Sequence, residues 1–231
     1  MRPWVQIPPP RPFVTILVML GVFTTSLVGV LVLWLAEVYR RNHKVSNELA
    51  RKIIHTVHAL VVVCWAWFVS YEFIIWAEVL FLAVVIVARH KNFMPWLRRV
   101  NRISWGEFFF PAGIIAAALL EPPVFVFAIA LLHVGIADSL AAIIGKNYGK
   151  KYFYKIHGYQ KSFAGLAAFW TASLLILTIF IAANPEAFDH AAWTLILFLP
   201  LSLTALEGLS IWGSDNLTIP LAVTVSLTSL L

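Results

Sequence analysis

The chain has 231 residues, 61% of them hydrophobic and only 12% charged, with a mean hydropathy of +0.86 and a formal net charge of +6. A soluble domain carries about 25% charged residues, so this composition excludes an ordinary cytosolic enzyme. A single cysteine, Cys64, excludes a disulfide framework and a cysteine-based zinc centre.

Apolar runs of about 17–25 residues are the mark of membrane-spanning helices. Residues 1–12, with their PPPRP stretch, form a stiff extended lead-in. Eight helical candidates follow, over 13–36, 53–70, 73–88, 108–120, 123–144, 163–183, 191–206 and 217–231. The first is too long for a signal-peptide core and lacks a small-residue cleavage site. The expected fold is an all-α polytopic membrane protein with seven to eight transmembrane helices, forming a single unit over 1–231.

Charge is distributed unevenly. Of 17 Lys and Arg, five fall in 37–52, five in 89–106 and five in 145–161. The connections at 70–72, 121–123 and 184–190 hold none. The positive-inside rule then puts the three basic segments in the cytoplasm and the N-terminus outside. Basic charge shared among loops in this way follows topology, which excludes a nucleic-acid partner and leaves anionic membrane lipids as one use of the lysines. Glu37, Glu48, Glu107, Asp138, Glu207 and Asp215 all fall on the cytoplasmic half, and this face is the expected active face.

Four constellations carry chemistry there. In ELARKIIHTVH, the side chains of Glu48, Arg51, Lys52, His55 and His58 recur at spacings of three and four, so they share one helix face. Paired histidines raise the possibility of zinc, but no third ligand has suitable spacing. In WGEFFFPAG, Glu107 is either a metal ligand or a first-turn acid matched to the helix dipole. In ADSLAAIIGKNYGKKYFYKIHGYQKSFAG, Asp138 lies inside an apolar helix, where a carboxylate costs on the order of 2.5–3.5 kcal/mol. A loop follows with Gly145, Lys146, Gly149, Lys150 and Lys151, and Lys161 and Ser162 stand at the start of the next helix. Gly145 and Gly149 form a GxxxG, which in an apolar helix means packing. Leaving the membrane beside lysines, it reads instead as a loop that admits phosphate, with the following helix N-terminus favouring an anion. In ALEGLSIWGSDNLTIPL, Glu207 ends one apolar run and Asp215-Asn216 precede the next, as site residues or as a capped turn. Carboxylates beside lysines suit magnesium holding a phosphate chain.

With these four in order, the chain resembles the CTP-dependent lipid-alcohol kinases: dolichol kinase, phytol and farnesol kinases, and the yeast-type diacylglycerol kinase. ELARKIIH is similar to their Glu-x-x-Arg-Lys-x-x-His motif, and ADSLAAIIGKNYGK to their Asp-x-x-Ala-x-x-x-Gly-x-x-x-Gly motif. EGLSIWGSDNLTIPL is similar to their C-terminal Glu…Asp-Asn-Leu-x-x-Pro-Leu signature, so the resemblance covers 48–221. QKSFAG departs from the family's Lys-Lys-Thr/Ser-x-Glu-Gly, with Gln160 for the first Lys and Ala164 for the Glu. The resemblance implies transfer of the γ-phosphoryl group of CTP, with Mg2+, to a lipid alcohol. It implies Asp138, His55 and Glu48 as catalytic residues, and Asp138, Glu207, Asp215 and Glu107 as metal ligands. Arg51, Lys52, Gly145, Lys146, Gly149, Lys150, Lys151, Lys161, Ser162 and Asn216 would hold the nucleotide.

Two alternatives stand beside it. One is a phosphatidate cytidylyltransferase-like enzyme, against which no Gly-His-Gly-Gly-x-x-Asp-Arg-x-Asp run is found. The other is an inactive lipid-binding, transport or scaffold protein, motivated by Ala164. The compact length suits a bacterial inner membrane, with endoplasmic reticulum or plastid as alternatives, and oligomer formation is compatible with the sequence.

Overall fold

A computed structural model describes residues 12–43, 47–91, 105–188 and 192–230. Each of the eight apolar runs falls on a helix. These are α1 (Pro12–His43), α2 (Asn47–Trp65), α3 (Tyr71–His90), α4 (Gly106–Ala118), α5 (Val124–Tyr148), α6 (Phe163–Ala183), α8 (Ala192–Leu209) and α9 (Asp215–Thr228), with a four-residue α7 (Pro185–Phe188) between α6 and α8. Among the described residues, α5 and α6 are long and apolar enough to cross a membrane. The other expected spans do not meet that measure: α4 and α9 have only 13 and 14 residues, and α2 opens on charged side chains.

The centre of the molecule is α5. Val126, Phe127, Ala128, Ile129 and Ala130 are fully buried, with α2, α6 and α9 packed around them. A helix apolar all round must be enclosed in this way. The peripheral helices instead expose large apolar side chains, among them Phe23 and Trp34 on α1, Trp76 and Leu80 on α3, and Trp193 and Leu197 on α8. An apolar surface of this extent is covered by lipid in a membrane protein.

The all-α expectation needs one correction. The basic segment expected as a loop is helical as far as Tyr148 and ends in an antiparallel hairpin, β1 (Phe153–Ile156) and β2 (Tyr159–Ser162). The two-residue turn between Ile156 and Tyr159 has His157 at φ +46° and Gly158 at φ +82°. Positive φ at both positions gives a turn whose twist matches that of paired strands, and glycine adopts it without a Cβ clash.

Close approaches set the helix positions. A π-helical turn, His133–Ala137, interrupts α5 and leads directly into Asp138. Gly135 in that turn lies against Ala59 and Thr56 of α2. Thr56 Oγ1 donates to the Gly135 carbonyl at 2.6 Å and lies 2.9 Å from Ser139 Oγ. These bonds fix the axial position of α2 against α5 and bring Lys52 beside Asp138. On the other side, Gly113 of α4 lies against the Asn216 carbonyl and Pro220 of α9.

Candidate active site

Three elements meet where the polar stripes of the sequence converge. Asp138 follows the π turn of α5, Glu207 lies in the last turn of α8, and Asp215 opens α9. One carboxylate oxygen from each lies within 4.8 Å of the others, and all three side chains are buried. Three buried anions this close need compensating charge. Lys52 forms a buried ion pair with Asp138. Lys161 Nζ lies 2.7 Å from Glu207 Oε1 and 3.7 Å from Asp215 Oδ2.

Lys161 is also held by the Glu207 carbonyl at 2.7 Å and Ser210 Oγ at 3.1 Å. Ser210 Oγ in turn lies 3.1 Å from Asp215 Oδ2, so the α8–α9 connection is closed on itself at the carboxylates. The hairpin register places Tyr154 opposite Lys161, and Tyr154 donates its hydroxyl proton to the Gly208 carbonyl at 3.0 Å. Tyr154 and Lys161 therefore grip the end of α8 side by side. Burial pulls the Lys161 ammonium down, but Glu207, Asp215 and Asp138 outweigh it and hold its pKa above the ordinary lysine value. Burial, with Glu207 adding to it, pushes the Tyr154 phenol up.

The other sequence candidates divide. Arg51 and Lys52 are buried on the α2 face turned to the site. His55 is buried one turn further on, stacked on Phe110 with ring centroids 4.4 Å apart, and its Nδ1 has no hydrogen-bond partner. The Asn216 backbone N–H donates to Asp215 Oδ1 at 3.1 Å, its Nδ2 donates to the Gly213 carbonyl at 3.1 Å, and its buried Oδ1 is left unpartnered. Glu48 lies in the first turn of α2, and its side chain is outside the described residues.

Several other candidates lie apart from the three carboxylates or are engaged elsewhere. Glu107 does not join the other three carboxylates; it pairs with Arg89, at the start of α4. Gly145 and Gly149 leave no open cradle, because the space a side chain would need holds Ser162 and Gly165. This GxxxG serves packing of α5 against α6 and the hairpin. The Ser162 hydroxyl is engaged as the N-cap of α6, accepting the Gly165 N–H at 3.1 Å. Lys146, Lys150 and Lys151 are exposed, and among the described residues they form no ion pair with the three carboxylates.

Sequence reasoning passed over three polar residues. Tyr154 and Ser210 looked like loop residues, and an alternating FYKI–YQKS pattern around His-Gly was the signal for the hairpin. Glu78, almost fully buried in α3, hydrogen-bonds to His58 Nε2 at 2.6 Å. Its signal was plain: an acid within an apolar run.

The carboxylates fit a hard divalent cation such as magnesium. Three oxygens from three separate elements converge, with an unpartnered carbonyl oxygen on the neighbouring Asn216, and magnesium takes a few carboxylates and leaves room for phosphate oxygens. Histidine and cysteine are absent from this group, so the donor set does not suit zinc.

Buried carboxylates paired with lysines suit a metal-held phosphate chain, and similarity to known proteins points to the family. The chain is 30% identical over 194 residues to the phytol kinase of Synechocystis sp., covering 80% of this chain and 81% of that protein. It is also 36% identical over 91 residues to the dolichol kinase of Saccharomyces cerevisiae, covering 39% of this chain and 17% of that one. The chain belongs to the lipid-alcohol kinase family. No protein-family model and no solved structure matches it.

Proposed function

We propose that this protein transfers the γ-phosphoryl group of CTP to the hydroxyl of a lipid alcohol, of the phytol or polyprenol class, at the cytoplasmic face of a membrane. The observation that carries the reading is the convergence of Asp138, Glu207 and Asp215, buried beside Lys52 and Lys161. The membership in a family that includes phytol and dolichol kinases supplies the acceptor class. A topology of seven to eight crossings with the N-terminus outside, which the distribution of basic segments favours, would put the site where nucleotides are. Residues 1–231 act as one catalytic unit.

Asp138, Glu207 and Asp215 would hold Mg2+, which when bound would neutralise charge on the phosphate chain. Lys52 and Lys161 lie against these carboxylates, close enough to turn their ammonium groups onto phosphate oxygens as the nucleotide binds. Phosphoryl transfer needs little beyond such positioning and charge stabilisation. Asp138 or His55 would take the acceptor's proton; His55 lies one helical turn from Lys52 and has a buried ring nitrogen without a partner. The bond from the lipid oxygen to the γ-phosphorus forms, the bond from that phosphorus to the bridging oxygen breaks, and CDP leaves. Ala164 does not empty the site, since three carboxylates converge without a residue at that position.

The test is phosphotransfer from γ-labelled CTP and ATP to phytol, farnesol, a polyprenol and diacylglycerol by purified protein with magnesium. Labelled lipid phosphate is expected with an isoprenoid alcohol and CTP. Full activity of Asp138→Asn would remove the site assignment, and no transfer with any pair would remove the function.

A further inference from the structure

The connection between α8 and α9 has a feature that metal and phosphate binding do not need. Its two ends, Ser210 and Asp215, are tied at 3.1 Å, and both belong to the carboxylate site. At its tip Trp212 has φ +58°, with Gly213 at φ +84° behind it. A bulky non-glycine residue in the left-handed region is strained, and such strain persists where the surroundings impose it. The constraint is visible: the Trp212 carbonyl accepts the Trp105 N–H at 2.7 Å, linking the loop tip to the start of α4. Both tryptophans are large and half exposed, at 49% and 46%. Arg89 lies 5.0 Å over the Trp105 ring and 5.0 Å over Phe108, held there by its ion pair with Glu107.

We propose that Trp212 and Trp105, with Arg89 behind Trp105, form the platform on which the base of the donor nucleotide stacks. This rests on the nucleotide-dependent reading above and extends it from the phosphates to the base. Trp212 is two residues from Ser210 and three from Asp215, so it lies within about 7–11 Å of them along the chain. The ribose and base of a nucleotide whose phosphates the carboxylates and lysines hold would then be within reach of Trp212. Planar aromatic and guanidinium faces stack on any base. A tryptophan that merely anchors the chain at the membrane boundary needs neither a strained backbone nor a main-chain bond to a second tryptophan. The same geometry gives Glu107 a role: its pairing holds Arg89 over the aromatic rings.

The experiment uses the full chain in lipid nanodiscs. Tryptophan fluorescence is read on addition of CTP, ATP and inorganic tripolyphosphate, and initial rates are measured against nucleotide and phytol separately. Trp212→Leu and Trp105→Leu are expected to raise the KM for the nucleotide by about tenfold or more, while Trp212→Phe retains most of the affinity. Inhibition by tripolyphosphate and the KM for phytol should stay unchanged. Equal weakening of tripolyphosphate overturns the proposal in favour of a purely structural loop, and a shift confined to the lipid KM overturns it in favour of a membrane anchor. Wild-type protein that binds no nucleotide removes the parent reading as well. Nucleotide affinity that survives both leucine variants removes only the platform.

Discussion

Lys161 is the residue on which the site turns. It contacts two carboxylates, a carbonyl and a hydroxyl from the α8–α9 region, although it comes from the hairpin. Its folded pKa is raised, so its stabilisation is complete below the ordinary lysine value of 10.5 and is lost only as pH rises through the higher folded value. Lys161→Met should therefore lower the thermal midpoint by similar amounts at about pH 7 and about pH 9, read by a melting series across that range. A drop confined to one end of the range would contradict the assignment. For the carboxylates, Asp215→Asn and Glu207→Gln should each lower kcat by about a hundredfold or more, the scale of losing one charge-stabilising group. Glu107→Gln should leave the magnesium dependence of the rate unchanged, since Glu107 pairs with Arg89 and not with the other three.

At the scale of elements, the hairpin and α5 are held together through glycines. A side chain at Gly149 would collide with Ser162, and one at Gly145 with Ser162 and Gly165. Gly149→Leu should destabilise the protein by about 1–3 kcal/mol, as overpacking does, and should displace Lys161 from Glu207 at the same time. Loss of activity with an unchanged melting midpoint would mean that Gly149 acts on the nucleotide and not on packing. Tyr154→Phe removes a hydrogen bond to the Gly208 carbonyl and nothing else of its shape. It should cost about 0.5–1.5 kcal/mol, measured as a shift in denaturation midpoint, with activity reduced far less than in Lys161→Met.

At the scale of the whole molecule, α5 serves as a buried axle carrying Asp138, while α2, the hairpin and the α8–α9 turn deliver the remaining charges to it. The site is shared among segments far apart in sequence, so a ligand that joins them should stabilise the entire fold. CTP with magnesium at about a hundredfold over its dissociation constant should add about 2.7 kcal/mol. Chelating the magnesium should abolish that gain in a thermal-shift measurement. CTP that stabilises equally with and without the metal would count against the carboxylate site.

Much of this was legible in the residues. Apolar runs located eight helices, because apolar side chains at this density have no other way to satisfy their backbone away from water. Asp138 stood out for a related reason, as a charge where charge is costly, whereas Glu207 and Asp215 stood out only as acids bordering apolar runs. What the sequence by itself determined is therefore the helical membrane character, the lipid-alcohol kinase resemblance and the residues that carry unusual charge. Which of those charges meet was decided only by tertiary structure, since Glu107 and Glu207 look alike beside an apolar run. Arg89 takes the first, and the hairpin carries Lys161 to the second. The same holds for Gly145 and Gly149: beside lysines their missing side chains read as room for phosphate, and the fold brings Ser162 and Gly165 against them. Local sequence reports the cost of a group, whereas the partner that offsets it comes from a distant part of the chain, and only the folded geometry brings the two together.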